Sequence, residues 1–311
     1  MLLLQQLHDL SDAATVEALA FKMAWHYALD VRGEADSYFC EKTLRNYRRL
    51  FIAHGLDDLL FRHLTDCLVQ AFSVDTSRQR MDSTALRSAM RALTRLGIVV
   101  ETISKFIREL RRHHPDLYDQ ASKEVIRRYV DREGDGAFAH TAPSISKRRL
   151  GEAGQDLLAL ALQYRDTPAA TLSSYTILER VLRDQFEIVG DACGDAALVA
   201  IREPKDVPCD TVGNPADPDA SYNAHKGHGY VAQIVETYSE DGGRDESDEE
   251  VAATPELITH VAVHKMTVHD GHRLPDALAD LSGRSLTPAV MLGDSHYGSA
   301  DNMALTELAT I

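Results

Sequence analysis

Cysteine is scarce in this sequence, and its four cysteines are widely separated: Cys40, Cys67, Cys193 and Cys209. They form no C-x-x-C pair. Disulfide-stapled domains and cysteine-based zinc sites depend on closely spaced cysteines, so the spacing argues against both classes. We therefore expect reduced thiols, as in a cytosolic protein.

Long apolar runs and a leader sequence are lacking as well. No apolar run reaches the roughly 20 residues that a membrane-spanning helix needs. The start, Met1-Leu2-Leu3-Leu4, has neither the basic residues nor the cleavage site of a signal peptide. We therefore expect no membrane partner. The glycine-rich nucleotide loops and the G-x-S-x-G motif are absent too, so nothing favours nucleotide hydrolases or serine hydrolases.

The length and composition are those of a soluble globular protein, but the charge is unevenly distributed. The 311 residues give room for two or more folding units, and the net charge is −15. Arg78–Arg112 contains nine basic and three acidic residues, whereas Asp191–Glu256 contains sixteen acidic and four basic residues. The basic stretch is typical either of a solvated helix face or of a DNA-binding surface. The acidic run Asp241–Glu250 is predicted to be a solvated loop at a hairpin tip.

Helical spacing dominates the N-terminal part. Residues 1–30 carry leucines on one helical face, and Ser11 or Asp12 is expected to cap a second helix. Asp57–Phe72 is predicted to be a longer amphipathic helix. Its inward side chains are expected to be Leu60, Leu64, Cys67, Leu68 and Phe72.

A short basic helix is predicted between these elements, over Thr43–Phe51. It contains Arg45, Arg48 and Arg49. A basic helix among several short helices is compatible with a helix-turn-helix DNA-binding module, and equally with a plain helical bundle.

The first strand is predicted over Val74–Met81, with Asp82-Ser83-Thr84 ending it. Helical spacing then begins at Leu86, and Pro115 is expected to stop the first helix. This helical block, about residues 86–200, would interrupt whatever sheet is being built.

Further strands are predicted over Gly229–Tyr238, Ile258–Val268 and Ala289–Leu292. The second of them is apolar on both faces, which predicts a central position in the sheet. The third follows a short helix over Pro275–Leu281, an order that favours a parallel connection. Asp294 then stands at a carboxyl strand end, where open sheets bind ligands.

Asp82 and Asp294 are the candidate catalytic residues. More than two hundred residues separate them, so they can meet only through tertiary folding. Two carboxylates at neighbouring strand ends suit Mg²⁺ or Mn²⁺, and a two-metal site clamps both the attacking and the leaving oxygen of a phosphoryl transfer. The alternative is that each aspartate merely ends a strand at a turn.

Three motifs in this order resemble the DDE transposases of bacterial insertion sequences. They are Asp82-Ser83-Thr84, His225-Lys226-Gly227-His228-Gly229-Tyr230 and Gly293-Asp294-Ser295-His296-Tyr297-Gly298-Ser299. In that family the first aspartate lies in a D-S-T run and the second in an A-D-x-x-Y-G-S run. Asn214–Ala220 and the helical N-terminal part are similar too, so the resemblance covers nearly the whole chain.

The resemblance implies an α+β fold of two domains. Residues 1–73 would form a helical N-terminal domain that binds DNA. Residues 74–311 would form a catalytic core with an incomplete ribonuclease-H-like mixed sheet, and the helical block of about residues 86–200 would be inserted after its first strand.

The resemblance also implies the chemistry and the partners. Asp82 and Asp294 would each ligate Mg²⁺ (or Mn²⁺) during transfer at the transposon DNA ends, in a bacterial cytoplasm and close to the nucleoid. Arg45, Arg48 and Arg49 would contact this DNA. The expected assembly is a homodimer or a complex with a full-length transposase.

The family's third acid has no matching position in this sequence. It is usually a glutamate well beyond the second aspartate, and the sequence ends at Ile311. We therefore expect a truncated copy that is inactive as it stands. The alternative is a non-catalytic remnant that binds DNA or forms dimers.

Two further stretches leave alternatives open. Lys226 would bind a DNA phosphate through its single ammonium charge. The alternative is that the stretch around it is simply a glycine-rich turn that leads into a strand. The histidines His260, His264, His269 and His272 would allow a zinc site, but no cysteine joins them, and strand and turn positions explain them equally.

Overall fold

The chain forms two compact units, each with its own contacts. The first unit comprises Met1–Thr76 and Ser239–Thr259, and the second comprises Ser77–Tyr238 and His260–Ile311. The computed structural model describes residues 1–33, 38–131, 143–189, 198–239 and 255–309. The fold is α+β with a mixed sheet, which confirms the predicted class. The predicted acidic loop Asp241–Glu250 lies outside the described residues.

The first unit is built mainly from helices. These are α1 (Leu2–Leu7), α2 (Asp12–Phe21), α3 (Met23–Ala28), α4 (Glu41–Ala53) and α5 (Leu56–Ala71). Ser11 caps α2 as predicted, because its Oγ accepts the backbone N–H of Ala14 at 3.2 Å. Trp25 and Leu19 are buried in a small core between the first helices.

The predicted inward face of α5 is wrong. Leu64, Cys67, Leu68 and Phe72 are all exposed, and Phe72 keeps 55% of its surface accessible. Thr65 is the buried residue of this helix, and its hydroxyl donates to the backbone oxygen of Ile258 at 3.5 Å. The predicted helix is present, but the face of α5 that packs is set by the neighbouring segment and not by the apolar stripe.

The second unit contains most of the strands and the longer helices. The strands of the chain are β1 (Arg78–Arg87), β2 (Phe186–Val189), β3 (Leu198–Ile201), β4 (Ser221–Asn223), β5 (Gly227–Thr237), β6 (Ile258–Lys265) and β7 (Val290–Gly293). The helices are α6 (Arg95–His113), α7 (Pro115–Tyr118), α8 (Lys123–Tyr129), α9 (Pro143–Tyr164), α10 (Ser173–Gln185), α11 (Leu274–Gly283) and α12 (Ala300–Ala309).

The main sheet has the order β4-β5-β1-β7, and β6 also pairs with β5. β1 pairs antiparallel with β5 and parallel with β7. The sequence predicted a parallel connection from the preceding strand, β6, through α11, but the strand that pairs in parallel with β7 is β1. β1 therefore lies inside the sheet, with one neighbour of each orientation.

The predicted end of β1 is wrong. The strand continues to Arg87, so Asp82 lies inside it and Leu86 belongs to it and not to the following helix. Burial alternates along β1, which explains why the strand continues past Asp82: Gln79 and Met81 are buried, and Asp82 is exposed. A polar residue every second position is normal for a strand with one open face, so the aspartate does not end it.

The predicted central position of β6 is also wrong. Within the described residues β6 pairs with β5 and with no other strand. Val261 and Val263 are exposed although they are apolar. Apolar residues on both faces therefore did not signal burial on both faces here.

A helical region with its own core separates β1 from β4. Phe106, Ile107, Leu110, Leu157 and Leu178 are fully buried in it. Its first helix begins at Arg95, later than predicted, and it also contains the antiparallel β2–β3 hairpin, which the sequence analysis missed.

Two other predictions about this region can be compared with the structure. The loop predicted over Asp131–Ser146 falls mostly outside the described residues, and α9 already begins at Pro143. The helix α6 ends at His113, just before Pro115, as expected. None of the helices in the described part of the chain is long and apolar enough to cross a membrane.

Candidate catalytic site

The two candidate aspartates lie where β1 and β7 run side by side. In this parallel pairing Met81 is opposite Gly293, and each aspartate is the next residue along the chain. Because parallel strands advance together, Asp82 and Asp294 take neighbouring positions along the two chains, with Asp294 directly after the end of β7. Both aspartates are exposed. The structure thus brings together two residues that are far apart in sequence.

Asp82 lies on the open face of the sheet. One of its oxygens, Oδ1, accepts the backbone N–H of Ser83 at 2.7 Å. Two residues earlier on the same face, the guanidinium of Arg80 pairs with Glu236 across the β1–β5 ladder at 2.7 Å. The charge of this arginine is therefore already balanced by a carboxylate of its own.

Asp294 begins the short 3₁₀ turn Ser295–Tyr297. Its Oδ1 accepts the backbone N–H of His296 at 2.9 Å, and its Oδ2 lies 3.0 Å from Nδ1 of the same histidine. The contact with the His296 side chain is the main reason that the pKa of the Asp294 carboxyl is lowered from its usual value. Asp294 is therefore an anion at neutral pH.

A buried network supports the turn that carries Asp294. Nε2 of Gln233 donates to the hydroxyl of Tyr297 at 3.1 Å and to the backbone oxygen of Asp270 at 3.0 Å. Nδ2 of Asn302 donates to the backbone oxygens of Gly271 (2.8 Å) and Tyr297 (2.9 Å). Burial raises the pKa of the Tyr297 hydroxyl, which keeps it protonated. The amide side chains of Gln233 and Asn302 thus hold the turn in place through buried hydrogen bonds.

Close packing explains one glycine of this network. A Cβ added to Gly271 would lie 2.5 Å from the backbone oxygen of His296. No side chain fits at that distance, so the segment before α11 can approach the Asp294 turn only because residue 271 is glycine.

Asp270 is a third carboxylate near this end of the sheet, and the sequence analysis missed it. Its Oδ2 accepts the hydroxyl of Ser83 at 2.8 Å. Ser83 and Asp82 alternate along β1, so this contact lies on the opposite face from Asp82. A sequence signal for Asp270 does exist. Ser83 is a polar residue on the inward face of β1, and it lies opposite the buried Gln233 of β5, so both polar side chains need a hydrogen-bond partner.

Three exposed histidines surround the Asp294 turn. The ring centres of His269 and His272 are 5.5 Å apart, and those of His269 and His296 are 5.8 Å apart. The described residues contain no group of three or more histidine, cysteine, aspartate or glutamate side chains that could hold a metal ion. His260 lies elsewhere and is bonded to Asp280 through Nδ1 at 2.6 Å.

Lys226 lies in the turn between β4 and β5 and is exposed. Oδ1 of Asn223 accepts the backbone N–H groups of His225 (2.9 Å) and Lys226 (3.2 Å), and Gly227 has a φ of +83°. This turn needs glycine at position 227, and it presents the lysine to solvent.

The three arginines of α4 are not equivalent. Arg45 and Arg49 are exposed. Arg48 is held within the first unit, because its guanidinium donates to Asp12 at 2.6 Å and to Oε1 of Gln5 at 3.0 Å. The guanidinium of Arg48 is thus held by side chains of its own unit. Its predicted contact with DNA would require a guanidinium that is free to bind phosphate.

A cavity of about 340 Å³ runs along β7 beside the candidate site. Asp294 is the charged residue in its described lining, and Met81, Val290, Tyr297 and Met303 supply apolar walls. The arrangement is therefore an open pair of carboxylates next to a mostly apolar cleft. Comparisons of the chain with protein-family models, with curated proteins and with solved structures found no match.

Proposed function

We propose that this chain is a transposase-like protein of the DDE type, acting in metal-dependent phosphoryl transfer on DNA ends. The observation that carries the proposal is the β1–β7 register, in which Met81 faces Gly293. This register supports a site formed by Asp82 and Asp294, the two residues that the sequence motifs single out.

The order of the elements supports a ribonuclease-H-like core in the second unit. A first strand, a helical insertion, two strands, a helix, a strand and a final helix follow one another, as the resemblance implies. β1 lies between the antiparallel β5 and the parallel β7. The hairpin β2–β3 and the short strand β4 are additions to this order.

The two carboxylates fit a hard divalent cation. Asp82 and Asp294 offer exposed oxygens, and the lowered pKa of Asp294 keeps its carboxylate ionised. Mg²⁺ is commonly held by one or two carboxylates together with water and substrate phosphates. When bound, the metal supplies activation of a water or a 3′-hydroxyl and stabilisation of the leaving oxygen. His296 orients the Asp294 carboxylate, and the Gln233 and Asn302 amides hold its turn in place.

A second candidate function is DNA binding without chemistry, by a transposase remnant. One observation favours it: within the described residues no third side chain joins the two aspartates in a metal-binding group. In that case the exposed cations Arg45, Arg49 and Lys226 would still contact DNA phosphates, and the two aspartates would have no catalytic role.

Binding of Mn²⁺ to the full chain tests the site, with water-proton relaxation as the readout. We expect Asp82→Asn and Asp294→Asn each to weaken Mn²⁺ binding about tenfold or more, because each removes a charged ligand of a site with few ligands. Asp301→Asn is the matched control, since Asp301 is exposed on α12 and the net charge changes equally. Equal Mn²⁺ affinity in all four proteins would refute the proposed site.

Nicking of supercoiled DNA separates the two candidate functions. Nicking that requires Mg²⁺ or Mn²⁺ and disappears in Asp82→Asn would support the phosphoryl-transfer proposal. DNA binding with no nicking under any metal condition would support the remnant instead.

A further inference from the structure

A cleft on the helical region of the second unit is separate from the candidate catalytic site. It lies between α6 and the segment Asn214–Ala216, and its cavity measures about 490 Å³. We call it the α6 cleft and define it by Arg91, Lys105, Arg108, Arg112, Asn214 and Pro215.

The α6 cleft is held in shape by hydrogen bonds. Nζ of Lys105 donates to the backbone oxygen of Pro215 at 2.6 Å. Nδ2 of Asn214 donates to the backbone oxygen of Arg91 at 3.0 Å, and Oδ1 of Asn214 accepts the backbone N–H of Ala216 at 2.9 Å. The wall opposite α6 is therefore fixed to α6 itself and to the segment that precedes it.

Arginines of the cleft are available to a ligand. In the part of the chain that the structure describes, no hydrogen bond or ion pair holds the guanidinium groups of Arg91, Arg108 and Arg112, and all three residues are exposed. Acids outnumber bases in this chain by 48 to 33, so potential partners are plentiful. Three free guanidinium groups in one cleft are thus a local exception to an acidic surface.

The cleft also contains two acids, Glu101 and Glu109, so its four cations exceed its acids by two. Oε2 of Glu109 accepts the backbone N–H of Ser174 at the start of α10, at 3.1 Å. Glu101 is half-buried and has interactions of its own. Both carboxylates have partners within the fold but keep their charge, and the cleft remains positive because Arg91, Lys105, Arg108 and Arg112 outnumber them.

The spacing of the cations favours a ligand with repeated charges. Positions 105, 108 and 112 share one face of α6, because residues three and four apart are neighbours on a helix. From Lys105 to Arg112 the face extends over about 10 Å, at 1.5 Å per residue. A single small anion would not reach all of these groups, but a phosphodiester backbone presents a charge at each nucleotide.

We propose that the α6 cleft binds the phosphate backbone of duplex DNA. The inference deepens the proposed function by naming a surface that holds DNA outside the two aspartates. Arginine on phosphate gives affinity and position but no sequence recognition, so the contact is independent of the DNA sequence. It lies on the helical region and not on the α4 arginines of the first unit.

Fluorescence anisotropy with a labelled duplex of arbitrary sequence tests this, using the full chain in EDTA over a range of salt concentrations. We expect Arg108→Ala/Arg112→Ala to lower the affinity about tenfold and to reduce the log–log salt slope by about 1.8, since two phosphate contacts are lost. The control is Arg148→Ala/Arg183→Ala, which removes the same charge from two exposed arginines that are paired with Glu152 and Asp184. This control should bind as the unchanged chain does.

Equal affinity and slope in the two double variants would overturn the inference. So would displacement of the duplex by millimolar inorganic phosphate, because the cleft would then be a site for a small anion. Asp82→Asn/Asp294→Asn should keep full duplex affinity in EDTA. DNA binding by the α6 cleft is therefore tested independently of the phosphoryl-transfer proposal. Thermal unfolding of each variant verifies that the fold is retained.

Discussion

His296 contacts both carboxylate oxygens of Asp294. Its backbone N–H donates to Oδ1 at 2.9 Å, and its Nδ1 lies 3.0 Å from Oδ2. One residue thus fixes the orientation of the carboxylate twice, once through the backbone and once through the side chain. Only the side-chain contact can be removed by substitution, so the two contributions can be separated.

We predict that His296→Ala raises the pKa of Asp294 part of the way back to its usual value. The side-chain contact is the largest cause of the lowered pKa, but the backbone contact remains. A lowered carboxyl pKa contributes stability above the unfolded-state pKa, and this is lost as the pH falls through the folded-state pKa. In the variant the loss should therefore begin at higher pH. Carbon-detected NMR titration of the Asp294 carboxyl measures the shift.

His272→Ala is the control for this titration. His272 belongs to the same exposed histidine group but does not contribute to the lowered pKa of Asp294. An identical Asp294 titration in the His296→Ala variant would contradict the contact seen in the structure.

We predict that Gly229→Ala destabilises the second unit strongly. Gly229 faces Arg87 in the β1–β5 ladder, and a Cβ at this position would lie 2.0 Å from the backbone oxygen of Leu86. A backbone atom cannot move aside as a flexible side chain can, so we expect a loss of about 3 kcal/mol in the free energy of unfolding. Urea denaturation followed by circular dichroism measures it.

Gly283→Ala provides the comparison for Gly229→Ala. Nothing lies within 4 Å of a Cβ at Gly283, which ends α11. We expect this variant to be as stable as the unchanged chain or slightly more so, because alanine loses less backbone entropy in a helix. Similar midpoints for the two variants would show that β1 and β5 are not as closely paired as described.

The sequence was sufficient for features that depend on local chemistry. The Ser11 cap and the end of α6 before Pro115 follow from residues that act on their own backbone. Packing decided what the sequence analysis got wrong. Phe72 and Val263 are apolar and exposed, because no neighbouring segment in the described residues covers them.

The candidate site was predictable only in part, because its motifs are local but its packing is not. Asp82 and Asp294 were found through their motifs, but their proximity depends on the β1–β7 register, which no local pattern states. Asp270 and Gln233 were missed because their contacts reach across the fold to Ser83 and Tyr297. Long-range hydrogen bonds of this kind leave no periodic signal in a sequence.

We predict that Asp280→Ala destabilises the second unit by about 3–5 kcal/mol, because it leaves the buried guanidinium of Arg284 and the imidazole of His260 without this carboxylate. Oδ2 of Asp280 lies 2.6 Å from Nδ1 of His260 and 3.5 Å from a guanidinium nitrogen of Arg284. All three side chains are at most 9% exposed. Thermal and urea unfolding at neutral pH measure the loss.

Asp276→Ala is the matched control on the same helix. Asp276 pairs with Arg273 at 3.0 Å, but its side chain is 62% exposed. An exposed pair of this kind contributes little, at most about 1 kcal/mol. If both substitutions cost the same, the His260–Asp280–Arg284 group would not be a buried network.

We predict that the chain self-associates as its concentration rises, through the free side of β7. β7 pairs with β1 on one side, and among the described residues no strand pairs with it on the other. Val290 and Leu292 are 41% and 49% exposed, and the strand carries no charged residue. An uncharged edge of this kind is a template for pairing with another chain. Added salt should strengthen the association, because it screens the repulsion between chains of net charge −15.

Val290→Lys should reduce this association, since a charge on an edge strand opposes pairing. Val189→Lys is the control, because Val189 is also an exposed strand valine, 54% accessible, but lies in the β2–β3 hairpin. Size-exclusion chromatography with light scattering over a range of concentrations distinguishes them. An equal reduction by both lysines would mean that net charge and not the β7 edge controls association. A monomer at every concentration would mean that the edge does not pair, and slow amide exchange across residues 290–293 would then show that other groups protect it.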